Sequence, residues 1–150
     1  MKALALLLAI GGQSIAASAG SSTAATDKRL LLGGIGLGQS ESSVIARLGK
    51  PQQREVTDGF LPITLSYPGI HIYLDDSGVG GVLSTSSKFC TPAKICPGTT
   101  YTEVKSAYGP SDSHRQDASV FRDYFWDDGC WLRLMFSADT VSSVGIMCAP

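Results

Sequence analysis

The chain has 150 residues, with 12 Lys and Arg against 13 Asp and Glu and a formal net charge of −1. Both signs are interspersed, so no basic stripe exists to neutralise phosphates, and nucleic acid is excluded as a partner. The length suits one domain or two tightly joined subdomains.

The first segment reads as an export signal. Lys2 is followed by an unbroken apolar run from Ala3 to Ile10, then by small and polar residues to Ser18. Ala17-Ser18-Ala19 satisfies the small-x-small rule for signal peptidase, which predicts a signal peptide over 1–19 with cleavage after Ala19. A spanning helix needs roughly 20 apolar residues, and this run is much shorter. The reading is therefore a periplasmic or secreted protein whose mature chain has no transmembrane segment. No cysteine near the cleavage site offers a lipid attachment point.

Residues 20–34 have the composition of a flexible mature N-terminus. The glycine-rich stretch Gly33 to Gly38 carries neither G-x-G-x-x-G nor a Walker lysine. It is read as an approach to the first helix, not as a phosphate loop. Ser40 and Thr100 are good N-caps, and Thr100 with Glu103 has capping-box spacing. Helices are predicted over 41–48 and 101–108, with Val44, Ile45 and Leu48 on one apolar face and Val104, Ala107 and Tyr108 on the other. Gly49 and Gly109 end them, and Pro51 and Pro110 prevent continuation.

Strands follow each helix. Ile63 to Tyr67 and Ile70 to Leu74 alternate, Asp75 to Gly78 turns, and Val79 to Leu83 returns. In the second half the strands are Phe121 to Trp126, Cys130 to Phe136 and Val141 to Cys148. Matching residues recur at a fixed spacing: Gly38 and Gly98, Ser40 and Thr100, Val44 and Val104, Gly49 and Gly109, Gly69 and Gly129, Leu74 and Leu134. Val79 and Val82 match Val141 and Val144 after a small length difference in the hairpin. The expected fold is α+β, with two tandem helix–three-strand antiparallel units over 35–89 and 90–150. They form a shared or closely packed sheet with the helices on one face.

Four cysteines in an oxidising compartment imply disulfides. A three-residue loop at Ala138-Asp139-Thr140 pairs Leu134 with Val144 and Leu132 with Ile146, because partners share a face. That register sets Cys130 opposite Cys148 and leaves Cys90 with Cys96. Zinc is the competing reading, but no C-x-x-C pair exists and the histidines are two, His71 and His114. No metal or other cofactor is expected.

The unit Gly-x-Ser/Thr-x-x-x-Val, then Leu/Tyr-Gly-x-Pro, then an aromatic strand and a hairpin, resembles the small periplasmic module of the outer-membrane assembly lipoprotein family (SmpA/OmlA, or BamE). Gly38, Ser40, Val44, Leu48, Gly49 and Pro51 carry it in the first half. Gly98, Thr100, Val104, Tyr108 and Gly109 carry it in the second, with Pro110 one position early. Two such units in tandem resemble the β-lactamase inhibitory protein architecture. The resemblance implies a binding protein. The lipidated cysteine of the assembly lipoproteins is absent, so membrane anchoring does not carry over, and β-lactamase as a target is not implied.

Catalytic constellations are lacking in the sequence. His71 alternates with Ile70 and Ile72 and has no identifiable nucleophile, while His114 lies in a polar loop from Ser111 to Asp117. Asp75-Asp76 and Asp127-Asp128 are read as turn residues. The outward strand positions are the candidate binding surface: His71, Tyr73, Trp131, Arg133 and Met135, joined by Tyr124 and Trp126. Trp, Tyr, Arg and Met are enriched at protein interfaces. The expected function is non-enzymatic binding of a protein partner in the cell envelope or of a secreted enzyme, as an assembly accessory, inhibitor or immunity protein. The alternative is a small hydrolase using His71 with a nearby carboxylate.

Overall fold

The computed structural model describes residues 30–126 and 129–149. The expected signal peptide and its cleavage site lie outside the described residues, as do Asp127 and Asp128. Ten strands and two helices are present among the described residues: β1 (Leu31–Leu32), β2 (Ile35–Gly36), α1 (Glu41–Leu48), β3 (Gln53–Val56), β4 (Ile63–Tyr67), β5 (Ile70–Asp75) and β6 (Gly78–Ser84), then α2 (Tyr101–Tyr108), β7 (Ser113–Gln116), β8 (Ser119–Phe125), β9 (Cys130–Ser137) and β10 (Thr140–Cys148). Eight strands make one antiparallel sheet in the order β3-β4-β5-β6-β10-β9-β8-β7.

This corrects the expected α+β fold of helix–three-strand units. The molecule is mostly β, each helix is followed by four strands, and the helices are short. Besides the β1–β2 hairpin, found where a flexible segment was expected, the unforeseen strands are β3 and β7, the two outer edges of the large sheet, with every residue exposed. An edge strand in water on both faces shows no apolar alternation, so the period-two signal is missing. Their polar sequences, Gln-Arg-Glu-Val and Ser-His-Arg-Gln, suit edges that must not pair with other chains. His114 thus belongs to a strand, not to the loop expected for it.

The helices occupy the expected spans. Ser40 Oγ accepts from the Ser43 amide, and Thr100 and Glu103 form the reciprocal capping box. Gly49 and Gly109 close the helices at φ 84°, a conformation that glycine adopts without strain. Each helix buries one valine, Val44 or Val104, into the core. The chain ahead of each helix hydrogen-bonds to the central strands, Gly38 and Gln39 with Val79, and Gly98 and Thr99 with Val141.

Each hairpin also carries a bulge. Register shifts at Tyr73/Leu74 leave Gly80 as the extra residue, and a shift at Val141/Ser143 leaves Ser142. The last hairpin turns on Ala138 and Asp139, since Thr140 pairs with Ser137. The loop is one residue shorter than expected, and the bulge restores the register. Leu134 therefore pairs with Val144, Leu132 with Ile146 and Cys130 with Cys148.

One sheet face is packed. Leu65, Ile70, Ile72, Leu74, Leu132, Leu134, Val144 and Ile146 are fully buried there, each such burial contributing about 1.5–3 kcal/mol. The hairpin of β1 and β2 covers the central strands, with Leu30, Leu32 and Ile35 buried. The boundary expected between residues 34 and 35 falls inside that hairpin, whose turn is Gly33-Gly34. Ile95 and the Cys90–Cys96 disulfide close the same layer from the linker ahead of α2. No helix of the described residues is long and apolar enough to cross a membrane.

Candidate functional site

Among the described residues, no helix covers the other face of the sheet. Along β5 and β9 buried and half-buried residues alternate strictly, which puts His71 and Tyr73, and Trp131, Arg133 and Met135, on this open face. Leu83 and Met147 join them from the central strands, opposite His71 and Trp131. The 57–62 loop folds Leu61 against Gly80 and Gly81. Burial raises the Tyr73 phenol above its ordinary pKa, so it stays neutral across the physiological range.

The bulges change which positions correspond. Counted from Gly80 and Ser142, His71 matches Arg133 and Tyr73 matches Met135. The sequence spacing matched them instead to Trp131 and Arg133.

Arg133 is the organising residue. Its Nε and Nη2 donate to the two oxygens of Asp123 at 2.8 and 2.7 Å, across the β8–β9 pair. The guanidinium also lies 5.4 Å from the Phe121 ring centre. His114 stacks on the opposite strand's Phe121 at 5.5 Å and 13°, with Nε2 3.6 Å from Asp123 Oδ2. Phe125, 71% exposed, leans on Trp131 with ring centres 6.2 Å apart. The Trp131 indole N–H is buried without an acceptor among the described residues.

Two of the expected binding residues lie elsewhere. Tyr124 pairs with Leu132, so it faces the core side, where its hydroxyl donates to the Gly109 carbonyl at 3.1 Å. Trp126 also packs against the core. The face assignment failed because Trp131 is odd-numbered and its partner on β8 is Phe125. The alternating neighbours Phe121, Asp123 and Phe125 occupy the open face instead. Asp123 could have been found in the sequence by asking which carboxylate lies opposite Arg133 in an antiparallel register.

His71 does not meet a carboxylate as the hydrolase reading required. Its Nδ1 is 3.1 Å from Ser66 Oγ on the neighbouring strand. Asp75 is committed to its turn, accepting from the Ser77 amide and hydroxyl. No group of three His, Cys, Asp or Glu side chains is placed to hold a metal among the described residues.

Both disulfides are formed, Cys130 to Cys148 and Cys90 to Cys96. They mark an oxidising compartment, and hence an exported protein.

No family model matches the chain, and no curated protein matches it. Two solved structures are similar in fold. An extracellular protein containing an SCP domain from Bacillus anthracis str. Ames aligns over 95% of this chain with a TM-score of 0.56 and 12% identity. This chain spans half the length of that protein. A DUF4309 family protein (YjgB) from Bacillus subtilis subsp. subtilis str. 168 aligns over 74% of this chain and 79% of its own, with a TM-score of 0.53 and 12% identity. At that identity the likeness is one of fold.

Proposed function

We propose that this chain is an exported, non-catalytic module that binds a protein partner through the open face of its sheet. The observation that supports the reading most is the row Tyr73, Trp131, Arg133 and Met135, flanked by Phe125, on a face that no helix of the described residues covers. These are the residue types that carry binding energy at interfaces. The Arg133–Asp123 pair fixes one side chain in place and stacks near Phe121, so less conformational entropy is lost when a partner docks. An envelope-assembly role or an inhibitory role both use such a surface, as the resemblance implies. A tight one-to-one complex with a secreted enzyme would favour the inhibitor, and copurification with envelope complexes the assembly factor. The extracellular description of the first structural neighbour agrees with export.

The test is capture of partners from the native envelope and culture fluid by the wild type and by a Trp131→Ala/Met135→Ala variant. Loss of the specific partner with unchanged circular dichroism supports the reading. Retention of the same partner by the variant refutes it.

The contact between His71 Nδ1 and Ser66 Oγ favours a second reading, a hydrolase with a serine nucleophile. A fluorophosphonate probe that labels the wild type at Ser66, and fails to label a His71→Ala variant, would establish it.

A further inference from the structure

Beside α2 lies a cavity of about 860 Å³, lined by Tyr108, Ser111, Asp112, Tyr124, Phe125 and Trp126 among others. Its wall is a piece of sheet edge. β7 pairs with β8 from Ser113 opposite Arg122 to Gln116 opposite Ser119, whereas β8 runs on to Phe125. Among the described residues, no strand pairs with the outer edge of β8 beyond Arg122.

The direction of the free backbone groups follows from register. The Trp126 amide donates to the Cys130 carbonyl, and those residues are opposite in the β8–β9 ladder. Hydrogen-bonded pairs alternate in an antiparallel ladder, so Tyr124 and Arg122 also turn their backbone groups toward β9. Asp123 and Phe125 must then turn theirs the other way; the Asp123 amide meets the Asp112 carbonyl, as the Ser113–Arg122 pairing requires, and Phe125 turns its amide and carbonyl to the cavity. The first half has no such overhang, because the Gln52 amide pairs with Ser66 near the end of β4.

An edge of unpaired amides and carbonyls is a template for an extended chain. The lining also states a charge preference. It holds aromatic rings, His114 and two carboxylates, and neither lysine nor arginine; Asp123 is taken by Arg133, which leaves Asp112 as the acidic group in reach of a ligand. The Ser111 hydroxyl oxygen is buried there without a partner among the described residues.

We propose that this edge is a strand-addition site, where an extended segment of the protein partner pairs beside Phe125 at the end of β8 and sets a basic side chain in the cavity. Main-chain hydrogen bonds supply affinity in this mode, and the pocket selects the side chain. The inference rests on the protein-binding reading but uses the edge of β8, not the open face.

The experiment pans a phage-displayed random dodecapeptide library on the oxidised protein, then titrates the selected synthetic peptides by calorimetry. Three variants are compared. Phe125→Pro removes the outward amide without touching the β9 ladder, Phe125→Ala removes only the ring, and Asp112→Asn removes the charge. Selected peptides should carry Lys or Arg, and should bind Phe125→Pro about tenfold more weakly than Phe125→Ala, the effect of one main-chain hydrogen bond. Asp112→Asn should erase the preference for a basic side chain. Should the proline variant fail to fold, N-methylation at each peptide amide keeps the test, with loss expected at alternate positions. No enrichment over the bare support, equal binding to the proline and alanine variants, or tolerance of every N-methyl group would overturn the site. Peptide binding lost in Trp131→Ala, but kept in Phe125→Pro, would overturn the edge while leaving the open face standing.

Discussion

Arg133 and Asp123 face each other across β8 and β9 and share two hydrogen bonds, yet they are unequally buried. The Arg133 side chain is 37% exposed and that of Asp123 is 6% exposed. Removing the arginine leaves a buried carboxylate with only the half-exposed His114 beside it, whereas removing the aspartate leaves a cation that water can reach. Arg133→Met should cost about 1–3 kcal/mol, and Asp123→Asn clearly less. Urea unfolding of both variants checks the order, and a larger loss for Asp123→Asn would contradict it.

Trp131 separates binding from folding. Its indole N–H has no acceptor among the described residues, so replacing the ring with phenylalanine removes a buried donor that gains nothing. Trp131→Phe should leave thermal stability unchanged or slightly raised while weakening partner binding. A large fall in melting temperature would mean that the indole is held by a bond of its own.

The disulfides should differ in worth. Cys130–Cys148 closes a span of 18 residues and Cys90–Cys96 one of 6. By loop entropy alone, the paired serine variants should lose about 3 and about 2 kcal/mol respectively. Non-reducing peptide mapping should find those two links, and a Cys96–Cys130 link would break the register.

Glu103 supplies a pH dependence. The Thr100 hydroxyl and then the Thr100 amide donate to its carboxylate and hold it below the ordinary value of 4.5. A depressed folded pKa adds stability above the unfolded pKa, and that stability disappears as pH falls through the folded value. Glu103→Gln should therefore be less stable than the wild type near neutral pH. The difference should shrink in acid, below the ordinary glutamate range. Chemical denaturation at both pH values measures it, and a constant gap would contradict it.

What was legible in the sequence was whatever left a local chemical mark. Ser40, Thr100, Gly49 and Gly109 give helix ends through hydrogen bonding and a positive φ, and both helices fall where those residues put them. Buried alternation in β5 and β9 revealed His71, Tyr73, Trp131, Arg133 and Met135 as outward. Strands β3 and β7 left no mark, because both their faces meet water, and without them the count of strands and the fold class came out wrong. Tyr124 and Trp126 were misassigned because a strand's face depends on its partner's register. The sequence between Trp126 and Cys130 does not announce that register. The cavity beside α2 was illegible for a related reason, since it arises from β7 ending before β8 does.

The most direct test of the account places a photo-crosslinking amino acid at Met135 on the open face and, in a second variant, at the exposed Ala46 on α1. Both are irradiated in the living cell. The account predicts one discrete protein adduct at position 135 and none at position 46. The same adduct from Ala46, or no adduct from Met135 in cells where the chain is folded and oxidised, would contradict it.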